Sequence, residues 1–194
     1  MTSNQKNWTV LISTMLIIGA VVMTTLDAFG AEKETVFLML RLTALTSFAI
    51  YLLVFVSRPL NQVWKSPLTT NMAKNRHYFG IAFAGAHLVH LALIVTFVFG
   101  SGVPLQTLFV GGVAYTLLLL MLITSFDAPA AAIGPVAWRR LHKAGLYWIG
   151  GTFTFTLTKN FLAAPDSRVH QAIVVLLVAA IGVRVMAFLK MRSA

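Results

Sequence analysis

The sequence predicts an all-α integral membrane protein, a bundle of six transmembrane helices with both termini cytoplasmic, and three observations carry that prediction. The 194 residues are 58% hydrophobic and only 10% charged, against roughly 25% charged in soluble domains. Predominantly apolar runs fill nearly the whole chain, at 8–25, 35–57, 79–99, 105–125, 141–158 and 171–189. Each is near the roughly 20 residues that cross about 30 Å of hydrocarbon. The basic residues lie between these runs, where they set topology.

The first run follows Lys6 and is about 18 residues long, beyond the 7–15 of a signal-peptide core, and no A-x-A site follows it, so it reads as a span. Asp27, Glu32 and Glu34 against Lys33 place the next connection outside. The second run carries Arg41. The connection at about 58–78 is polar, with Pro59 and Pro67 as breakers. Its Arg58, Lys65, Lys74 and Arg76 put it in the cytoplasm. The third run holds His87 and His90, and the short GSGVP turn makes it an antiparallel neighbour of the fourth.

Between the fourth and fifth runs, SFDAPAAAIGPVAWRR turns at Pro129, Gly134 and Pro135, with Trp138 placed for the interface. Arg139, Arg140 and Lys143 against Asp127 keep this loop inside. His142 opens the fifth run, His170 sits at the outer, surface start of the sixth, and Arg184 lies within the sixth. Lys190 and Arg192 end the chain on the cytoplasmic side. With no repeat or linker, residues 1–194 read as one membrane domain.

A net charge of +10 could suit nucleic acid, but charges distributed between spans point to membrane lipid instead. The absence of cysteine excludes thiolate ligation, disulfides and iron–sulfur clusters. No stretch is long enough for an extramembrane catalytic domain, so flavin or nucleotide chemistry would need a partner.

The histidines carry the chemistry. Ionisable side chains are costly in hydrocarbon and mark functional sites, and neutral imidazole is both tolerable there and a haem ligand. His87 and His90 are one turn apart in an apolar run, so at least one is expected to ligate haem, the other bonding a haem propionate or a quinone. From the cytoplasmic start of its span, His90 lies roughly 17 Å deep and His87 roughly 12 Å, but His142 only about 3 Å. His77 is at nearly the level of His142, so depth alone pairs His77 with His142 as axial ligands. Arg41 and Arg184 either snorkel or pair with haem propionates. No intramembrane Asp or Glu accompanies His87 and His90, which leaves zinc and di-iron sites poorly provided.

The stretches LRLTALTSFAIYLLVFVSRPL, RHYFGIAFAGAHLVHLALI, GGVAYTLLLLMLITSFD and VAWRRLHKAGLYW resemble the ferric reductase-like transmembrane domain family, nearest to the haem-binding membrane subunits of methionine sulfoxide reductase systems. The likeness covers roughly residues 35–160, with GGVAYTLLLLMLITS and WRRLHK its most specific pieces. It implies a b-type cytochrome of the inner (cytoplasmic) membrane, taking electrons from a flavoprotein or quinol and delivering them to ferric iron or a periplasmic reductase. It also implies His90 and His142 as haem ligands. The family's second fifth-span histidine, 13 residues on, is Phe155 here, so one haem b per chain is expected. The trans partner of His142 is left between His77, on depth, and His90, on resemblance. Rival expectations are a haem-free protein on this scaffold, supported by Phe155, and a small transporter using His87 and His90 as a proton relay.

Overall fold

The computed structural model describes residues 3–30, 32–97 and 105–193. Among them every regular element is helical: α1 (Ser3–Phe29), α2 (Lys33–Val63), α3 (Pro67–Lys74), α4 (Arg76–Phe97), α5 (Leu105–Ile123), α6 (Asp127–Ala163) and α7 (Arg168–Arg192). The expected GSGVP turn lies outside the described residues. Large apolar side chains are exposed along the helices, among them Leu16, Met23, Phe155 and Val178. Exposed apolar surface of that extent, on helices long and apolar enough to cross a bilayer, marks a multi-pass helical membrane protein.

Thr9–Phe29, Glu34–Val63, Arg76–Thr96 and Arg168–Arg192 are each long and apolar enough to cross a membrane, matching four expected runs. The remaining two differ from expectation. Phe109–Ile123 and Asp127–Ala163 qualify only as a pair, bent by 113° where they meet. For α6 the physical reason lies in composition: after His142 and Lys143, the run GGTFTFTLTKNF interleaves threonine and glycine with its aromatic residues.

The connections also differ. The helix α2 runs through the buried Pro59 to Val63, and Pro67 opens α3 instead of interrupting a loop. Proline is pre-organised for that first helical position, and Ser66 caps it reciprocally with Thr69: Ser66 N donates to Thr69 Oγ1 (2.9 Å) and Thr69 N to Ser66 Oγ (3.2 Å). Pro129 sits in the first turn of α6, where its missing N–H is tolerated. Of the three expected breakers, only the Gly134–Pro135 step breaks the helix. Gly134 has φ 73° and ψ 164°, a backbone open essentially to glycine alone.

The chain separates into two compact units, Met1–Val54 with Asn75–Leu108, and Phe55–Lys74 with Phe109–Ala194. In the first, α1 packs along α4, and the flexible end of Met15 fills the space that Gly85 leaves. A Cβ there would lie 2.9 Å from Met15 Cε, and Ala82 and Ala86 beside it are fully buried. Val36, Met39 and Leu93 form a core with Val22, Leu26 and Leu40 around it. Buried hydroxyls on α1 and α2 return to their own helix, as Thr25 Oγ1 does to Val21 O (2.6 Å) and Ser47 Oγ to Thr43 O (2.8 Å). That is how Ser and Thr are accommodated in hydrocarbon.

In the second unit α6 packs along α7, with Ile149, Phe153, Ile173, Leu177 and Ala180 buried. At the end of α7, Lys190 Nζ donates to Val63 O (3.1 Å) at the end of α2. These two helix ends therefore share one level.

Candidate functional site

The first unit holds an aromatic ladder on one face of α4. Phe83, His87 and His90 recur at i, i+4 and i+7, a spacing that stacks side chains along a helix. The Phe83 and His87 rings stack at 5.4 Å and 24°, and the His87 and His90 rings at 5.5 Å and 23°. Helix α2 supplies the opposite wall: Tyr51 meets Phe83 edge-on at 5.6 Å, and Thr43 Oγ1 lies 2.9 Å from His90 Nδ1. Tyr51 and Thr43 are almost fully buried, and the two histidines are half-buried. The sequence-predicted pair is thus inside the helix cluster, where each imidazole has ring or hydroxyl neighbours.

That stacking limits what α4 can do alone. Rings stacked on one helix present their nitrogens side by side, so a haem held here would need a second residue from a different helix. Among the described residues no three of His, Cys, Asp and Glu form a metal-ligand cluster, a number that a zinc or di-iron centre needs and bis-imidazole haem does not.

The other expected residues fall elsewhere. His77 is exposed in the first turn of α4, edge-on to Tyr78 at 5.1 Å. It precedes His90 by about 20 Å of helix axis. Arg41 is exposed on α2, two residues before Thr43 and hence on the other side of the helix. His142 belongs to the second unit. There its Nε2 lies 3.1 Å from Thr124 Oγ1 and its ring stacks on Trp138 at 4.1 Å and 25°. Trp138 Nε1 donates to Thr124 O (2.8 Å), so Trp138 and His142, four residues apart, together hold the end of α5. His170, at the start of α7, donates from Nδ1 to Ala164 O (3.3 Å).

Arg184 neither snorkels nor stands free. Its Nη1 donates to Phe55 O (2.9 Å) and its Nη2 to Tyr147 Oη (2.8 Å). Its guanidinium carbon lies 4.2 Å from the Phe55 ring centroid and 5.0 Å from that of Tyr147. Phe55 is four residues before Pro59, and proline has no N–H to give to the carbonyl at i−4. Arg184 supplies the donor that Pro59 withholds. In the first unit, Arg76 Nε donates to the neighbouring carbonyl, Val54 O (2.9 Å). Thr43, Phe55 and Tyr147 were not singled out by sequence reasoning; only the i−4 offset from Pro59 to Phe55 could have pointed to one of them.

No known protein family, curated protein or solved structure matches the chain. Nothing in these comparisons identifies a ferric reductase-like family.

Proposed function

We propose that the protein is a b-type haem cytochrome of the cytoplasmic membrane that carries electrons outward across the bilayer. Its ferric reductase-like reading implies a flavoprotein or quinol donor and an outer acceptor, ferric iron or a periplasmic reductase. The observation that carries the proposal is the stacked His87–His90 pair, half-buried among apolar helices. Imidazoles so placed suit a neutral ligand for a soft, delocalised cofactor better than a hard metal ion. On the resemblance His142 would be one residue that holds the haem, and the second would be His90, favoured by the resemblance, or His77, favoured by depth along the sequence. The haem supplies one-electron redox chemistry; the protein places it and sets its potential through ligands and burial. The test is the reduced-minus-oxidised absorbance of purified protein, with a haem count. One haem per chain with a sharp bis-imidazole band is expected, lost in His90→Ala and retained in His77→Ala. A chain with no visible band overturns the proposal.

A six-span topology with both termini in the cytoplasm completes the reading, with α5 and α6, bent by 113° where they meet, crossing once each. What supports the orientation is the basic 58–78 segment, whose residues favour the cytoplasmic side. An alkaline-phosphatase fusion after Ala194 is expected to be inactive and a fusion in the Phe29–Lys33 turn active; the reverse pattern refutes the orientation.

A haem-free protein on this scaffold is the second reading. What favours it is His142, whose ring already has Thr124 and Trp138 as neighbours, and Phe155, which is 67% exposed on α6.

A further inference from the structure

We infer that Thr43 is a positioning residue for His90, holding it as the Nδ1–H tautomer so that Nε2 is the nitrogen presented to a ligated group. The inference rests on the cytochrome reading for the identity of that group, but its geometric basis is independent of it. Thr43 Oγ1 lies 2.8 Å from Met39 O and 2.9 Å from His90 Nδ1. A carbonyl oxygen only accepts, and a threonine hydroxyl has a single proton. At 2.8 Å that proton lies between Oγ1 and Met39 O, since two bare oxygens would repel. The hydroxyl then has lone pairs and no proton for His90, so the Nδ1···Oγ1 contact requires the proton to be on Nδ1. In a neutral imidazole the second nitrogen, Nε2, then carries the free lone pair.

The surroundings make this arrangement hard to invert. Thr43 is 1% exposed, between fully buried Met39 and Ser47 on the same face of α2. Its β-branched side chain has few rotamers in a helix. The His90 plane is fixed from the other direction by its stack on His87. Among the described residues the His90 ring makes no other hydrogen bond. A ligand imidazole whose far nitrogen donates to a fixed acceptor is the usual outer-shell arrangement around a metal-bound histidine. Here a hydroxyl from the adjacent helix provides it.

The experiment uses the full chain in mild detergent, labelled with ¹⁵N-histidine, together with Thr43→Val and Thr43→Ser. Before haem is added, the wild-type His90 signal is expected to show a protonated Nδ1, and Thr43→Val to move the proton toward Nε2. Haem affinity should fall roughly 10- to 100-fold in Thr43→Val, the range for loss of an outer-shell partner. Its midpoint potential should rise, because a less electron-rich imidazole stabilises ferric iron less. Thr43→Ser, which restores the hydroxyl, should recover all three properties. A wild-type His90 protonated on Nε2 overturns the inference. So does a Thr43→Val variant with unchanged affinity and potential. If His90 carries its proton on Nδ1 and the chain takes up no haem, the cytochrome reading fails while the tautomer assignment is upheld.

Discussion

Arg184→Leu is expected to destabilise the protein by about 2–3 kcal/mol, seen as a lower unfolding midpoint in detergent. Two hydrogen bonds from a charged donor are lost, worth about 1.5 kcal/mol or more apiece when well shielded. Cation–π contact adds about 0.5–1 kcal/mol for a half-exposed guanidinium. Arg184 is only half-buried and Tyr147 is exposed, so solvent screening brings the total below that sum, to about 2–3 kcal/mol. The cause can be isolated through Pro59. In a Pro59→Ala background, the new N–H at 59 can donate to Phe55 O along the helix, so the same Arg184→Leu change should cost about 1 kcal/mol less, a coupling typical of residues sharing one partner. Tyr147→Phe, which removes only the phenol, should cost about 1 kcal/mol. Arg184→Lys should not restore stability, because an ammonium cannot reach both acceptors and lie flat on the Phe55 ring. If Arg184→Leu costs the same with and without Pro59, the account of Arg184 as the proline's compensating donor is wrong.

That pairing also explains why part of the fold was illegible in the sequence. Pro59 reads as a breaker because local chemistry says that proline ends a helix; the donor that lets α2 continue comes from a residue 125 positions later. From sequence Arg184 correspondingly reads as a snorkelling cation or a propionate partner, and nothing local distinguishes those roles from the observed one. The apolar runs were legible wherever length and composition agreed, as in α1, α2, α4 and α7. They were less so in α6, where threonine and glycine dilute the signal and only packing against α7 shows which face is interior.

The candidate site was legible by half. His87 and His90 stand out because ionisable groups in hydrocarbon need a reason, and their offsets of four and seven residues from Phe83 already imply a stacked face. Thr43 carries no such mark: hydroxyls are common in membrane helices, where they bond their own i−4 carbonyl, and only tertiary structure shows the second bond to His90. For Arg41, sequence depth suggested a choice between snorkelling and pairing, and its exposed position sets it apart from the histidine ladder.

Replacing His142 by alanine is expected to remove bound haem from the purified protein, whereas Thr124→Val should retain it. The contrast matters because His142 has two possible uses that a single substitution confounds. As part of the α5–α6 junction it contributes one hydrogen bond, worth about 1 kcal/mol, and a ring stack on Trp138 of similar size. Thr124→Val removes the first of these while leaving every imidazole in place. As a haem ligand, His142 would instead be one of the two histidines that hold the group, and its loss would abolish the bis-imidazole spectrum whatever happens at the junction. Ligation through Nε2 would exchange the Thr124 contact for iron, so Thr124→Val frees that nitrogen and should leave haem content unchanged or raised. His170→Ala, whose ring bonds only a local carbonyl, is the control for loss of a histidine as such. If His142→Ala and Thr124→Val lower stability alike and both keep full haem occupancy with an unaltered spectrum, His142 is a strut of the α5–α6 turn and the trans ligand must be sought elsewhere.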